Sequence, residues 1–226
     1  MKQFVKNTFA YDMFLFLRKY LRIIYSVKSR NRFFWNLRRG DDILSLNYEL
    51  TKDSTVFVVG AFKGDYLGKV HDKFKCIIYG FEPVSEYFRI LEDNFKNFKN
   101  IKLFNIGLSN KTEKAKIDIK GESSSIYSNS DNLIDINLKS TNEFLSEHEI
   151  SEIDLVYMNI EGEEYVVLKE LIDSGNIKKI KHLQVQYHKI NKDSKKDRKT
   201  LNKLLCKTHI QKFNYPFIWE RWDLKD

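Results

Sequence analysis

Apolar residues recur at spacings of three and four in the first part of the chain. Phe9, Met13, Phe16, Leu17, Tyr20, Leu21 and Ile24 fall on one stripe, which predicts an amphipathic helix from Phe9 to Tyr25. A short helix through Ile43, Leu44 and Leu46 follows Gly40. The period then changes. Thr55-Val-Phe-Val-Val59 and Cys76-Ile-Ile-Tyr-Gly-Phe81 are rich in β-branched and aromatic residues and stand a helix-length apart, as two buried parallel strands joined by a crossover would. Ser85 to Asn97 returns to helical spacing through Phe88, Leu91 and Phe95, and Ile101-Lys-Leu-Phe104 reads as a third strand. A polar stretch, Asn110 to Asn132, lies between it and a fourth strand, Ile153-Asp-Leu-Val-Tyr-Met158. A helix over Glu163 to Asp173, a strand over Ile180 to Gln186 and a helix over Lys196 to Cys206 follow. Two terminal strands, near Gln211 to Asn214 and Phe217 to Trp222, complete the pattern. Such alternation predicts a doubly wound α/β fold with a mostly parallel sheet of about seven strands and a late antiparallel element.

Composition narrows the class. The chain has 226 residues, 42% of them hydrophobic and 31% charged, which suits one folded domain and excludes a disordered chain. Its two cysteines, Cys76 and Cys206, have no spaced Cys or His partners, so neither a disulfide framework nor a structural zinc site is indicated, and a reducing cytoplasm is expected. The apolar run Met13 to Leu17 is far too short to cross a bilayer, and no export signal is read. Charge is distributed unevenly. Of the net +8, all the excess lies in residues 1–40, where ten Lys or Arg face one acid, Asp12, among seven Phe or Trp and three Tyr. We therefore expect a basic, aromatic-rich helical extension over residues 1–50 and a nearly neutral domain over 51–226.

Four strand ends carry candidate chemistry. Val58-Val-Gly-Ala-Phe-Lys-Gly64 closes the first strand and opens a helix at Asp65; its glycines permit a tight turn and close backbone approach to a ligand. Glu82 directly follows the second strand, where a carboxylate can accept hydrogen bonds from both hydroxyls of a ribose. The absence of a Gly-x-Gly-x-x-Gly pyrophosphate turn favours a mononucleoside-type cofactor over a dinucleotide. Asn159-Ile-Glu-Gly-Glu-Glu-Tyr165 ends the fourth strand and places Asn159 and Glu161 at the same crevice, although Asn159 or Gly162 with Glu163 and Glu164 also fits a helix cap. His188, just beyond the fifth strand, is a candidate general base.

Together with Tyr79-Gly-Phe-Glu-Pro83, Gly107-Leu-Ser109, Gln184-Val-Gln-Tyr-His188, Lys207-Thr-His209 and Trp219-Glu-Arg-Trp222, these segments resemble the FkbM-type S-adenosylmethionine-dependent methyltransferases over roughly residues 52–222. The resemblance implies a class I, Rossmann-like methyltransferase fold. Many members of the family are associated with bacterial polysaccharide or glycolipid assembly, where they methylate sugar hydroxyls. Position by position, it implies that Gly60, Ala61, Phe62 and Gly64 face the methionine portion of the cofactor, that Glu82 and Pro83 form the ribose site, and that Asn159 and Glu161 line the floor near the methyl group. Ser124 and Ser125 match a polar loop near the adenine or the acceptor. Two positions depart from the pattern. The family usually has Asp where this chain has Val58, a residue that helps hold the methionine ammonium, and Asn is frequent where Phe62 stands.

The expected reaction is attack of an acceptor hydroxyl oxygen on the sulfonium methyl carbon, with His188 as first base and Glu161 as second. The spacing requires no metal, although Glu161 and His188 have the ligand types for one. Other small hydroxyl-bearing acceptors are open too, and Val58 admits a cofactor-free membrane- or nucleic-acid-binding descendant of the fold. For residues 1–40 the readings are an anionic membrane surface at the inner face, an acidic sugar, or docking onto the core or a second subunit in a homo-oligomer. The run Lys192 to Lys199 has no interleaved aromatics, so no nucleic-acid partner is expected there.

Overall fold

The computed structural model describes residues 26–120, 123–125 and 133–226, together with Tyr11, Met13, Leu15, Leu17, Arg18 and Leu21 as isolated helical positions; the remainder of the predicted N-terminal helix lies outside the described residues. Two compact units are present. One holds the described residues up to Asn47 with the turn Tyr215–Ile218, and the other holds Tyr48–Asn214 and Trp219–Asp226.

The larger unit is built on β1 (Thr55–Val59), β2 (Ile77–Phe81), β3 (Ile101–Phe104), β8 (Ile153–Met158), β9 (Ile180–Val185), β10 (His209–Tyr215) and β11 (Trp219–Leu224), in the order β10-β11-β9-β8-β1-β2-β3. From β9 to β3 every pairing is parallel, and β11 joins β9 antiparallel. The fold is thus a seven-stranded α/β sheet of the expected kind. Helices α2 (Asp65–Phe74), α3 (Ser85–Phe95), α5 (Glu164–Asp173) and α6 (Ser194–Leu205) connect the strands. Val56 to Val59, Leu155, Val156, Leu183 and Val185 are buried, as befits strands covered on both faces, and this is why they read as continuous apolar runs. The last strand starts later than the sequence suggests, because Phe217 has a φ of 61° and lies in the turn before it.

The polar stretch after β3 requires the main correction. It contributes to a second, four-stranded sheet in the order β4-β7-β5-β6, from β4 (Gly107–Ser109), β5 (Glu113–Lys120), β6 (Ser123–Ser125) and β7 (Leu133–Ser140). Alternation with a period of two conceals β5 in a polar average: Lys114 and Lys116 are exposed, whereas Ala115 and Ile117 pack inward with Ile136 and Leu138 against Val84 and Tyr87. Helix α4 (Thr141–Glu147) follows, its N-terminus capped by the Ser140 hydroxyl, which accepts from the Glu143 amide at 3.3 Å. Its Phe144 ring is buried against Phe57, Phe81 and Phe104, with centroids 6.0, 4.9 and 5.0 Å away.

In the smaller unit, α1 (Val27–Leu37) turns Trp35 inward. The indole donates to Asp41 Oδ1 at 2.8 Å and meets the Tyr215 ring edge to face at 5.5 Å. Gly40 lies against the Trp35 indole so closely that a Cβ would stand 2.1 Å from it.

Phe144→Ala would open a cavity where α4 meets the sheet. The expected cost is about 3–5 kcal/mol, read as a lower urea midpoint for the far-UV signal.

Candidate active site

Four parallel strands end level with one another. Val59 is in register with Phe81 and Met158, and Met158 with Val185, so the residues one step beyond are Gly60, Glu82, Asn159 and Gln186. Backbone bonds carry the ladder outward: Gly60 donates to Phe81, Asn159 to Val59 and Gln186 to Met158, each at 3.0 Å. Because the chain continues from β1 to β2 on one side and β8 lies on the other, this edge is the switch point of the sheet, where a crevice must open.

The turn after β1 passes through left-handed backbone at Gly60, Phe62 and Gly64, with φ of 82°, 51° and 97°. At Gly60 no side chain fits, since a Cβ would lie 2.1 Å from the Asn159 carbonyl oxygen. Phe62 is held in this conformation from two directions. Its amide donates to Glu82 Oε2 at 2.9 Å, and its ring packs edge to face on Tyr87 at 4.5 Å. Ala61 is buried and donates to Phe81 at 2.9 Å. Gly64 lets α2 start beside the Phe95 ring.

Glu82 is 5% exposed, and its Oε1 accepts from the Val84 amide at 2.9 Å. Burial pushes its pKa above the ordinary 4.5, partly opposed by the Val84 and Phe62 amides. Each oxygen has accepted one N–H, and a carboxylate oxygen can accept two, so capacity for two hydroxyl donors remains. Gly60, Phe62, Glu82, Pro83, Asn159 and Glu161 all line one cavity. Its apolar wall comes from the small sheet, through Leu108, Ile117, Ile136 and Leu138. Asn159 brings Oδ1 to this place as a buried acceptor without a partner among the described residues. Ala61 and Gly64 shape the turn and are not among the lining residues.

His188 is not among the lining residues; it is held against one of them, Glu161, and against Glu164. Glu161, itself left-handed at φ 49°, has Oε1 3.4 Å from His188 Nε2. Glu164, fully buried, has Oε1 3.2 Å from His188 Nδ1 and 2.5 Å from the His188 amide, while its Oε2 accepts from the Gly162 amide at 2.8 Å. Gln186 Nε2 is 3.1 Å from His188 Nε2. With Nδ1–H directed at Glu164, Nε2 carries the lone pair, the form a general base requires. The two carboxylates meet different ring nitrogens, so they do not converge on a metal position; among the described residues no group of three or more His, Cys, Asp or Glu does.

Sequence reading missed Glu164, which its place in the first turn of α5 explains as a helix-dipole acid, and Glu163, which accepts from the buried Ser109 hydroxyl at 2.8 Å. It also missed the apolar wall. Ser124 and Ser125 lie on β6, opposite Ile119 and Asp118; their side chains are outside the described residues. Val58 is buried within β1, between Gly80 and Tyr157, and offers no acceptor.

A doubly wound sheet with a left-handed glycine turn, and a buried carboxylate one strand away, defines a nucleoside-binding α/β enzyme of the class I methyltransferase type. The sequence matches the methyltransferase FkbM domain over residues 59–217, and the chain belongs to that family of S-adenosylmethionine-dependent methyltransferases. Comparison with proteins of curated function found no match. Among solved structures, an rRNA-methylase assignment from Clostridium thermocellum superposes with a TM-score of 0.53 at 10% identity, over 84% of this chain and 96% of that one. The fibrillarin pre-rRNA processing protein of Methanococcus jannaschii gives 0.47 at 15% identity, over 83% and 74%. Aeropyrum pernix fibrillarin in complex with natively bound S-adenosyl-L-methionine gives 0.44 at 12%, over 82% and 74%. At these identities the likeness is one of fold.

Because the folded-state pKa of Glu82 is raised, its contribution favours folding most below 4.5 and declines as pH rises through the raised value. The urea midpoint of the wild type should therefore fall relative to that of Glu82→Gln as pH is increased from 4.5 towards neutrality. Parallel profiles would place the charge cost elsewhere.

Proposed function

We propose that this methyltransferase acts on a hydroxyl group, and that the acceptor is a sugar of a bacterial surface polysaccharide or glycolipid. The observation that carries the hydroxyl reading is His188, set between Glu164 and Glu161, of which Glu161 lines the cavity. A hydroxyl is a weak nucleophile until its proton is taken, so an oxygen acceptor needs a base of this kind. The sugar assignment rests on the resemblance of the motifs to a family associated with glycan assembly.

The residues present fit the cofactor. Glu82 would accept from the ribose hydroxyls, the wall of Ile117, Ile136 and Leu138 would cover the base, and Asn159 Oδ1 would accept from the ammonium that Val58 cannot meet. When bound, the cofactor supplies an activated methyl carbon and its own leaving group. The protein then positions the acceptor and moves one proton. His188 Nε2 takes the hydroxyl proton as the oxygen becomes nucleophilic. Glu164 keeps the ring in one tautomer and, with Glu161, stabilises the imidazolium formed.

Titration calorimetry with S-adenosylmethionine should give one saturable site, weakened about tenfold or more in Glu82→Ala, a loss of about 1.4 kcal/mol. A wild type that binds nothing would instead support the cofactor-free descendant. Acceptors are then screened for the mass gain of one methyl, with nucleotide sugars and glycolipids beside simple phenols and alcohols. A phenol turned over in preference to every sugar would sink the glycan assignment.

His188→Ala is expected to lower turnover about 10²–10⁴-fold with cofactor affinity unchanged. Glu164→Gln leaves a partner for the ring Nδ1–H but removes the charge beside it, so turnover should fall while S-adenosylmethionine affinity stays unchanged. Unchanged turnover would make Glu164 a purely structural carboxylate.

A further inference from the structure

Helix α1 buries Trp35 on one side and, among the described residues, leaves an apolar stripe exposed on another. Trp35 is turned inward and fixed by Asp41, Gly40 and Tyr215. Val27, Phe34 and Leu37 follow at spacings of seven and three on another side, with Phe33 beside them, and these four are 50%, 46%, 68% and 45% exposed. Arg30 lies within that stripe, Lys28 and Arg32 lie round the helix on the side of Trp35, and the helix contains no acid. Earlier in the chain Met13, Leu17 and Leu21, spaced by four, are helical and 48%, 49% and 48% exposed. Exposed apolar stripes of this length are uncommon on a soluble surface, and here they occur in the forty residues that hold ten cations against one acid.

We propose that this N-terminal unit is a membrane-docking element, with the stripe Val27–Phe33–Phe34–Leu37 inserted at the headgroup boundary of an anionic lipid surface and the neighbouring Lys and Arg side chains among the headgroups. The chemistry selects this occupant. Phe33 and Phe34 would suit either acyl chains or a stacked base, but aliphatic Val27, Leu37, Met13 and Leu17 gain only by leaving water for acyl chains and provide no flat face on which a nucleic-acid base can stack. A second copy of the chain would bring like charge against like, and an acidic headgroup removes that repulsion. The inference is independent of the acceptor assignment and of the methyl-transfer mechanism.

The test uses the full chain with vesicles of phosphatidylcholine alone and of phosphatidylglycerol mixed with phosphatidylcholine, read by co-sedimentation at two salt concentrations. Binding is expected only to the mixed vesicles and should weaken with salt. The triple variant Val27→Ser, Phe34→Ser, Leu37→Ser keeps every charge and removes exposed side chains, so it should fold, bind S-adenosylmethionine as the wild type does, and partition about tenfold less or weaker. A control, Lys195→Gln, Lys199→Gln, Lys203→Gln, removes three charges from α6 and should retain most of the binding. Three results would overturn the proposal: no sedimentation with anionic vesicles, equal loss in the control and the α1 variant, or tighter binding to a single-stranded RNA than to the mixed vesicles.

Discussion

The close approach of Gly60 to the Asn159 carbonyl is the constraint on which the site depends. Two strands far apart in sequence, β1 and β8, are neighbours in the sheet, and their ends can converge only if one contributes no side chain at the crossing. From that contact the rest follows in order. The chain leaves β1 in a left-handed turn, Phe62 is brought within reach of Glu82, and Glu82 is thereby tied to the β1 turn as well as to its own strand end. Asn159, fixed by its backbone bond to Val59, is left with a side-chain oxygen that no group among the described residues satisfies. Level strand ends thus convert sheet register into a row of site residues, with no long loop needed to place them.

That order has an electrostatic cost which function explains. Carboxyl groups are expensive to bury, and Glu82 and Glu164 are both buried at the carboxyl edge of the sheet. The protein offsets the cost with amides: two for Glu82, from Phe62 and Val84, and two for Glu164, from Gly162 and His188. Neither set completes the carboxylate's hydrogen-bonding capacity. At Glu82 the remaining capacity opens on the cavity, and at Glu164 it reaches the imidazole. A carboxylate half-satisfied by backbone is stiff, and stiffness is what a cofactor-binding or base-orienting group needs.

How far the sequence discloses this depends on burial. Strands covered on both faces, such as Val56 to Val59 and Leu155 to Met158, stand out as apolar runs, and their ends locate Gly60, Glu82 and Asn159 directly. The small sheet is wet on one side. Its Lys114, Lys116 and Glu113 dilute the signal from Ala115 and Ile117, so the wall of the cavity was concealed in a stretch that averages as polar. Glu164 was hidden differently. An acid in the first turn of a helix needs no further explanation from sequence, and only the fold shows that His188, one helix and one strand later, comes to it. Motif matching finds residues that meet the ligand by backbone geometry more readily than those that act through another side chain.

Val58 then takes on a different meaning from a simple loss. An acid at that position would stand in β1 opposite Gly80, two residues before Glu82 in β2, in the interior of the sheet. Glu82 already has its ionisation opposed by burial, and a second carboxyl nearby would oppose it further. With valine there, the inner sheet remains apolar, and in the proposed reading the ammonium is met instead by a neutral oxygen, Asn159 Oδ1, at the end of β8. A neutral acceptor attracts a cation less than an anion does, but it leaves Glu82 as the one acidic group of the strand-end row Gly60, Glu82, Asn159 and Gln186. In that reading valine moves the recognition of the methionine end from charge to a fixed dipole, and leaves the fold that aims it unchanged.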